Sequence, residues 1–153
     1  MTALFTLLPE AVGIIRADSK ATILAELAGC FATVYALDRD QVAAGIDARE
    51  QLGSTGFGRG VAIPHARIDG LARPVAAFLR LETPVGFDAA DGMPVQFVFG
   101  LLSPDNAGAT HLHALASISR LMRDEATRAD LASAPDAEAL YGLLSNVIDR
   151  SVT

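Results

Sequence analysis

A single cysteine, Cys30, in 153 residues excludes an internal disulfide and any cysteine-based metal cluster, and its place in a helical pattern marks it as a small core residue. Long apolar runs are missing too. Hydrophobic residues make up 51% of the chain and charged residues 20%, yet no stretch approaches the ~20 uninterrupted apolar residues of a membrane span. Basic charge is in deficit: Lys+Arg 12 against Asp+Glu 18 leaves a net −6, the wrong sign for a nucleic-acid module. The opening MTALFTLLPEAVGII has neither a basic leader nor a small-residue cleavage site, so it does not read as a secretory signal. The expectation is a cytoplasmic protein with no nucleic-acid partner and no membrane insertion. One domain, 1–153, suffices: a chain of this length buries roughly two thirds of its unfolded surface and needs no metal or disulfide.

The charge is unevenly spread. Residues 49 to 80 carry five arginines (Arg49, Arg59, Arg67, Arg73, Arg80) and two acids (Glu50, Asp69), a local balance of +3 that leaves −9 elsewhere. An anion would be drawn to this stretch, and a basic partner to its surroundings. At its centre lies REQLGSTGFGRGVAIPHAR, Arg49 to Arg67, in which a Gly-rich loop feeds a short β-branched run ending at Pro64-His65. The loop matches neither the phosphate-loop signature, with its Lys-Ser/Thr, nor the dinucleotide fingerprint. It reads as a histidine presented to an anion.

Element signals surround it. Ile14-Ile15 suggests a short edge strand, and Asp18 or Ser19 an N-cap for a helix from Lys20, with Ile23, Leu24, Leu27, Cys30 and Phe31 at helical spacing. Asp38 caps a second helix, with Gln41 placed for a capping box and Leu37 for a staple onto Val42; Arg49 falls in its last turn, before Gly53. After His65 a turn is expected at Asp69-Gly70, then a strand over Pro74–Glu82. Runs at Val85–Ala89 and Pro94–Leu102 flank Asp91-Gly92 as a hairpin, and the wholly apolar Phe97–Leu102 marks a central strand covered on both faces. Ser103–Ala109 reads as a loop and Thr110 as the cap of a helix from His111 to about Met122. That helix puts His111, Leu115, Ile118 and Met122 on one face and His113, Ser117, Arg120 and Asp124 on the other. Asp124, then Ser133 or Asp136, cap two closing helices, the last with Leu140, Leu143 and Leu144 apolar. Two helices, several strands, then helices define an α/β class: a single-domain α/β sandwich with a mixed β-sheet flanked by helices.

Any of the histidines may be read simply as a hydrogen-bonded structural residue, and three chemistries compete with that. A metal site is disfavoured because His111 and His113 lie about 200° apart on a helix, and His65 with His111 would still need a carboxylate that the sequence does not single out. Acyl transfer, with Ser54 or Thr55 as nucleophile and His65 as base, lacks the strand-to-helix nucleophile turn. Phosphoryl transfer through a phosphohistidine suits an imidazole, a nucleophile near neutral pH and a good leaving group. It asks the protein chiefly for positioning and charge stabilisation, which Arg49, His111 at a helix N-terminus and loop N–H groups would supply.

The stretches LGSTGFGRGVAIPHAR, RPVAAFLRLETPVGFDAADGMPVQFVFGLLSP and THLHALASISRLMRD resemble the enzyme IIA domains of the phosphoenolpyruvate-dependent phosphotransferase system. The nitrogen-regulatory branch, related to the fructose and mannitol branches, is the most similar, over about Asp18 to Leu144. The resemblance implies an α/β sandwich with a mixed sheet, no cofactor and no metal. It implies that His65 is the phosphoryl acceptor, that His111 and Arg49 stabilise the phosphate, and that Gly53, Ser54, Thr55 and Gly56 line the site. His113 matches no family site residue, and Arg59 and Arg67 read as surface or partner contacts.

Members of that family receive phosphate from a histidine phosphocarrier protein. Nitrogen-type members regulate partners such as potassium transport systems and sensor kinases by phosphorylation state, whereas sugar-type members pass phosphate to a IIB domain. A chain ending at residue 153 without IIB or IIC portions favours the regulatory phosphocarrier. The alternatives are a sugar-specific enzyme IIA of fructose/mannitol type and, from another class, a noncatalytic anion-sensing module.

Overall fold

The computed structural model describes residues 4–151; the ends of the expected 1–153 unit, residues 1–3 and 152–153, lie outside the described residues. The chain runs β1 (Thr6–Ile15), α1 (Lys20–Tyr35), α2 (Arg39–Gln51), β2 (Gly56–Gly58), β3 (Val61–Ala62), β4 (His65–Ile68), β5 (Val75–Val85), β6 (Val95–Pro104), α3 (Ala109–Arg123), α4 (Glu125–Ser133) and α5 (Ala137–Ser151). A mixed six-stranded sheet has the order β1-β5-β6-β3-β2, with β4 also paired to β6.

Alternation along the strands divides the core in two. Ala77, Leu79 and Leu81 of β5 pack with Ile23, Leu27 and Phe31 of α1 and with Val42 and Ile46 of α2. Ala76 and Phe78, with Phe97 and Phe99 of β6, face Ile118 and Met122 of α3 and Leu140 and Leu144 of α5. Strand β6 is central, its edges paired to β5 and to the β3/β4 pair, and both its faces are covered, Val98 and Leu102 lying in the first cluster and Phe97, Phe99 and Leu101 in the second, as its unbroken apolar run requires. Its one glycine permits close helix approach. A Cβ on Gly100 would lie 2.9 Å from Phe31 Cε2 and 3.0 Å from Leu27 Cδ1.

Local signals decide most helix starts. Ser19, not Asp18, caps α1, its hydroxyl accepting from Thr22 N at 3.1 Å. Asp38 caps α2, but Gln41 leaves the capping box open: its amide donates to Asp69 O instead. Asp124 and Asp136 accept from Thr127 N and Ala139 N, so Ser133 is the end of α4 and no cap. Thr110 is not a cap either, because α3 starts at Ala109 after Gly108 in a positive-φ conformation (φ 57).

Other expectations shift in extent. The short edge strand at Ile14-Ile15 is a ten-residue edge strand, irregular between Leu7 and Val12. In the β5–β6 hairpin Val85 pairs with Val95, so Gly86–Ala89 belong to the connecting loop and not to a strand. On α3, Ser117 is buried and Leu115 only partly so, because the covered arc centres on Ala114, Ile118 and Leu121.

Candidate functional site

The site grows from an interruption in one sheet edge. Strands β3 and β4 run in succession beside β6, Ala62 opposite Val98 and His65 opposite Leu101. Pro64, which has no N–H to donate, lies in the gap. There Pro64 O accepts from Leu101 N and Ile63 N donates to Thr55 O. The Ile63 carbonyl turns instead to His65 Nδ1, 2.7 Å away. A carbonyl only accepts, so Nδ1 carries the proton. The free lone pair is then on Nε2, which faces Arg49 Nε at 3.2 Å.

Arg49 is presented by the last turn of α2, and its Nη1 donates to Gly53 O at 2.8 Å. Gly53 supports that turn with a φ of 148, a region favouring glycine. Beyond it, Ser54 Oγ donates to Phe87 O at 2.7 Å and accepts from Gly56 N at 3.0 Å. Thr55 N and Oγ1 both donate to Glu50, a buried carboxylate that also pairs with Lys20 Nζ at 2.9 Å. Neither hydroxyl is thus placed as a nucleophile against His65, which removes the geometric basis of acyl transfer.

Helix α3 supplies the facing wall. His111 is 5% exposed, its Nδ1 lies 2.6 Å from Ser103 Oγ, and its ring centroid is 5.6 Å from that of His65. Burial, then the charges of Arg67 and His65, lower its pKa from 6.5 to about 4. Burial also lowers the His65 pKa, reinforced by the Arg49 charge and opposed by the Ile63 hydrogen bond and by Glu50. Both imidazoles are therefore neutral near pH 7, the state a nitrogen nucleophile requires. His113 is exposed.

An open pocket of about 600 Å³ fronts His65, lined by Arg49, Ser54, Thr55, Phe57, Arg59 and Ile63 on one side and Leu115, Ser119 and Arg123 on the other. Gly53 and Gly56 shape the loop behind this wall but are not among its lining residues. Arg59 faces the pocket rather than being only a surface residue, and Arg123 joins it from α3. Arg80, counted in the positive stretch, instead donates to Leu131 O and Ala134 O at the end of α4. Glu50, Lys20, Ser103 and Arg123 had not been singled out from sequence. Only Arg123 carried a signal, lying four residues beyond Ser119 and twelve beyond His111 on one helix. Among the described residues no three His, Cys, Asp or Glu side chains converge as a metal site would need.

The buried neutral His111 has a consequence for stability. Its folded pKa lies below its unfolded one, so it favours folding above pH 6.5, and that contribution is lost as pH falls from 6.5 toward 4. The loss amounts to roughly 2–3 kcal/mol. Urea unfolding at pH 7 and pH 4.5 should show a smaller difference for His111→Gln than for the unaltered protein.

These features define a small α/β protein with an open pocket that fronts His65 and is lined by three arginines, the His111 ring lying beside that of His65. The chain belongs to the phosphoenolpyruvate-dependent sugar phosphotransferase system, EIIA 2 family, whose profile matches residues 7–147. It is 41% identical over 138 residues to a nitrogen regulatory protein of Bradyrhizobium diazoefficiens, covering 90% of each chain. To a nitrogen regulatory protein of Pseudomonas aeruginosa it is 43% identical over 130 residues, covering 84% of each. The crystal structure of nitrogen regulatory protein IIA-Ntr from Neisseria meningitidis superposes with a TM-score of 0.84 at 37% identity, over 90% of this chain and 95% of that one. IIA mannitol from Escherichia coli shares the fold, with a TM-score of 0.75 at 20% identity, over 92% of this chain and 99% of that one. Among the described residues no helix is long and apolar enough to cross a membrane.

Proposed function

We propose that this protein is a regulatory phosphocarrier of a phosphoenolpyruvate-dependent relay, taking a phosphoryl group on His65 Nε2 and controlling partner proteins by its phosphorylation state. The observation that carries the reading is the orientation of His65: Nδ1–H held by the Ile63 carbonyl at 2.7 Å, Nε2 turned to Arg49. The Nε2 lone pair attacks phosphorus as the bond from phosphorus to the donor's histidine nitrogen breaks. The donor imidazole leaves with the electron pair of that bond. Arg49 gives up its hydrogen bond to Nε2 and turns to the phosphoryl oxygens, and His111 closes the other side. The donor of this reading is a histidine phosphocarrier protein, and regulated partners include potassium transport systems or sensor kinases.

Incubation with phosphoenolpyruvate, the first enzyme of the relay and its phosphocarrier should add one acid-labile phosphoryl group, mapped by tandem mass spectrometry to His65. Labelling at another residue, or none, would overturn the reading. A dianion between the rings should also raise the His111 pKa from about 4, since a nearby opposite charge favours the protonated form. The imidazole resonances followed against pH before and after phosphorylation would show it.

A sugar-transport reading draws on relatives. A fructose-specific EIIA component of Haloferax volcanii is 34% identical over 112 residues, and a mannitol enzyme IIA of the same fold is known in complex with a phosphorylated enzyme IIB. Fast transfer from phosphorylated protein to a IIB cysteine would favour it. Tight phosphorylation-dependent binding to a regulatory protein would favour the first reading.

A further inference from the structure

The pocket extends well beyond His65. His111, Leu115, Ser119 and Arg123 recur at every fourth position of α3 and form one ridge along it. From Leu115, beside the histidines, to Arg123 this ridge advances about 12 Å. Phe57, Ile63 and Leu115 give the pocket apolar walls, and the Arg59 guanidinium reaches Arg123 O at 3.5 Å, which brings two arginines to its far end. The lining includes three arginines and no carboxylate. The carboxylate nearest to Arg59 in these contacts, that of Asp91, is occupied by the main-chain N–H groups of Arg59 and Met93.

The exposed large hydrophobic side chains among the described residues, Leu52, Leu112 and Met93, adjoin site residues in sequence but do not line the pocket. A cleft of this length that carries cations on a partly apolar wall, with no acid of its own, complements a chain segment bearing carboxylates more than a single small anion.

We propose that the Arg59–Arg123 end of the pocket is a docking point for an acidic segment of a protein partner, laid along α3 so that a carboxylate meets the two guanidinium groups. An extended segment covers the 12 Å with about four residues. The inference deepens the phosphocarrier reading by naming the partner chemistry its pocket selects, and it rests on that reading only for what passes at the His65 end.

The test is an NMR titration of the ¹⁵N-labelled full chain with a capped peptide of alternating Glu and Leu, and with the same peptide carrying Gln for Glu. The Glu peptide should shift the amides of Phe57, Arg59, Ser119 and Arg123 and bind more weakly as salt is raised. The Gln peptide, and the Arg59→Ala/Arg123→Ala protein with the Glu peptide, should each bind at least about fivefold more weakly, the loss of two exposed charge pairs. Both side chains are exposed, and a dispersed spectrum checks that the double variant folds. Equal binding of the two peptides, an undiminished double variant, or no shift at these amides overturns the proposal. So does inorganic phosphate shifting the same amides at lower concentration, which would make this end a small-anion site. Phosphorylation plays no part in the titration. An unlabelled His65 with a bound Glu peptide defeats the phosphocarrier reading alone, and a labelled His65 without peptide discrimination defeats this one alone.

Discussion

The Arg49→Ala protein is expected to accept phosphate about 100- to 1,000-fold more slowly than the unaltered protein, the usual loss when one preorganised donor is removed from a charged transition state, while His65→Ala accepts none. Two effects of Arg49 oppose each other. Its Nε–H occupies the Nε2 lone pair at 3.2 Å and its charge lowers the His65 pKa, so its removal frees the nucleophile and makes it more basic. Against this, the transferring group carries its charge on three oxygens that need a fixed cation. The second effect wins if Arg49 serves the transition state. A faster Arg49→Ala protein in a quenched-flow labelling assay would mean that Arg49 restrains His65 instead. Arg49→Lys should rescue little, because Arg49 uses Nε on His65 and Nη1 on Gly53 O together, a fork that an ammonium cannot reproduce.

What was legible in the sequence was local. The Asp38 cap, the helical spacing of α1 and the apolar run of β6 depend on residues a few positions apart, and each has its counterpart in the fold. The order of strands is not local, and neither is β4, whose four residues pair with a strand more than thirty positions later. The turn expected at Asp69-Gly70 is present, but the strand His65–Ile68 before it is not announced by the sequence, because Pro64 interrupts the edge that would otherwise read as one continuous strand. On α3 the expected faces hold for buried His111, Ile118 and Met122 and for exposed His113, Arg120 and Asp124, and only Ser117 and Leu115 depart from them. Helical spacing sets which residues share a face, but the centre of the covered arc is fixed by the phenylalanines of β5 and β6 and by α5. His111 is buried at the edge of that arc, against Ser103 and the His65 ring.

The positive stretch was likewise a statement about sequence more than about the pocket. Of its five arginines two line the cleft, Arg80 holds the end of α4, and Arg67 donates to Gly108 O before α3. Arg123, from a part of the chain outside that stretch, joins the two in the cleft. The acid that fixes the loop, Glu50, is adjacent to Arg49 in sequence but points the other way, into the protein. Helical geometry separates neighbours by about 100°, and composition cannot tell which of the pair faces the anion.

Glu50→Ala is expected to lower Tm by about 5–10 °C. The carboxylate is 8% exposed and accepts from Thr55 N, Thr55 Oγ1 and Lys20 Nζ. Its removal leaves three buried or half-buried donors without an acceptor, at about 1–3 kcal/mol each before relaxation. Lys20 can recover part of this: it lies 3.8 Å from the exposed Asp88 and 4.7 Å from the Phe87 ring centroid. Thr55, enclosed between α2 and β3, has no such outlet, so a net loss of about 2–3 kcal/mol is the reasonable figure, with about 2–4 °C per kcal/mol for a chain of this size. Lys20→Met should destabilise as well, by leaving the buried carboxylate without its cation, and the double variant should lose less than the sum of the two singles. Additive losses in calorimetry would mean that the pair is not coupled. The same change should reach the candidate site. Glu50 opposes the fall in the His65 pKa, so in Glu50→Ala the pH below which acceptance fails moves lower still, while a loosened Ser54-Thr55 wall slows acceptance at pH 7. A variant that is less stable yet labels at the unaltered rate and pH profile would confine Glu50 to holding the loop.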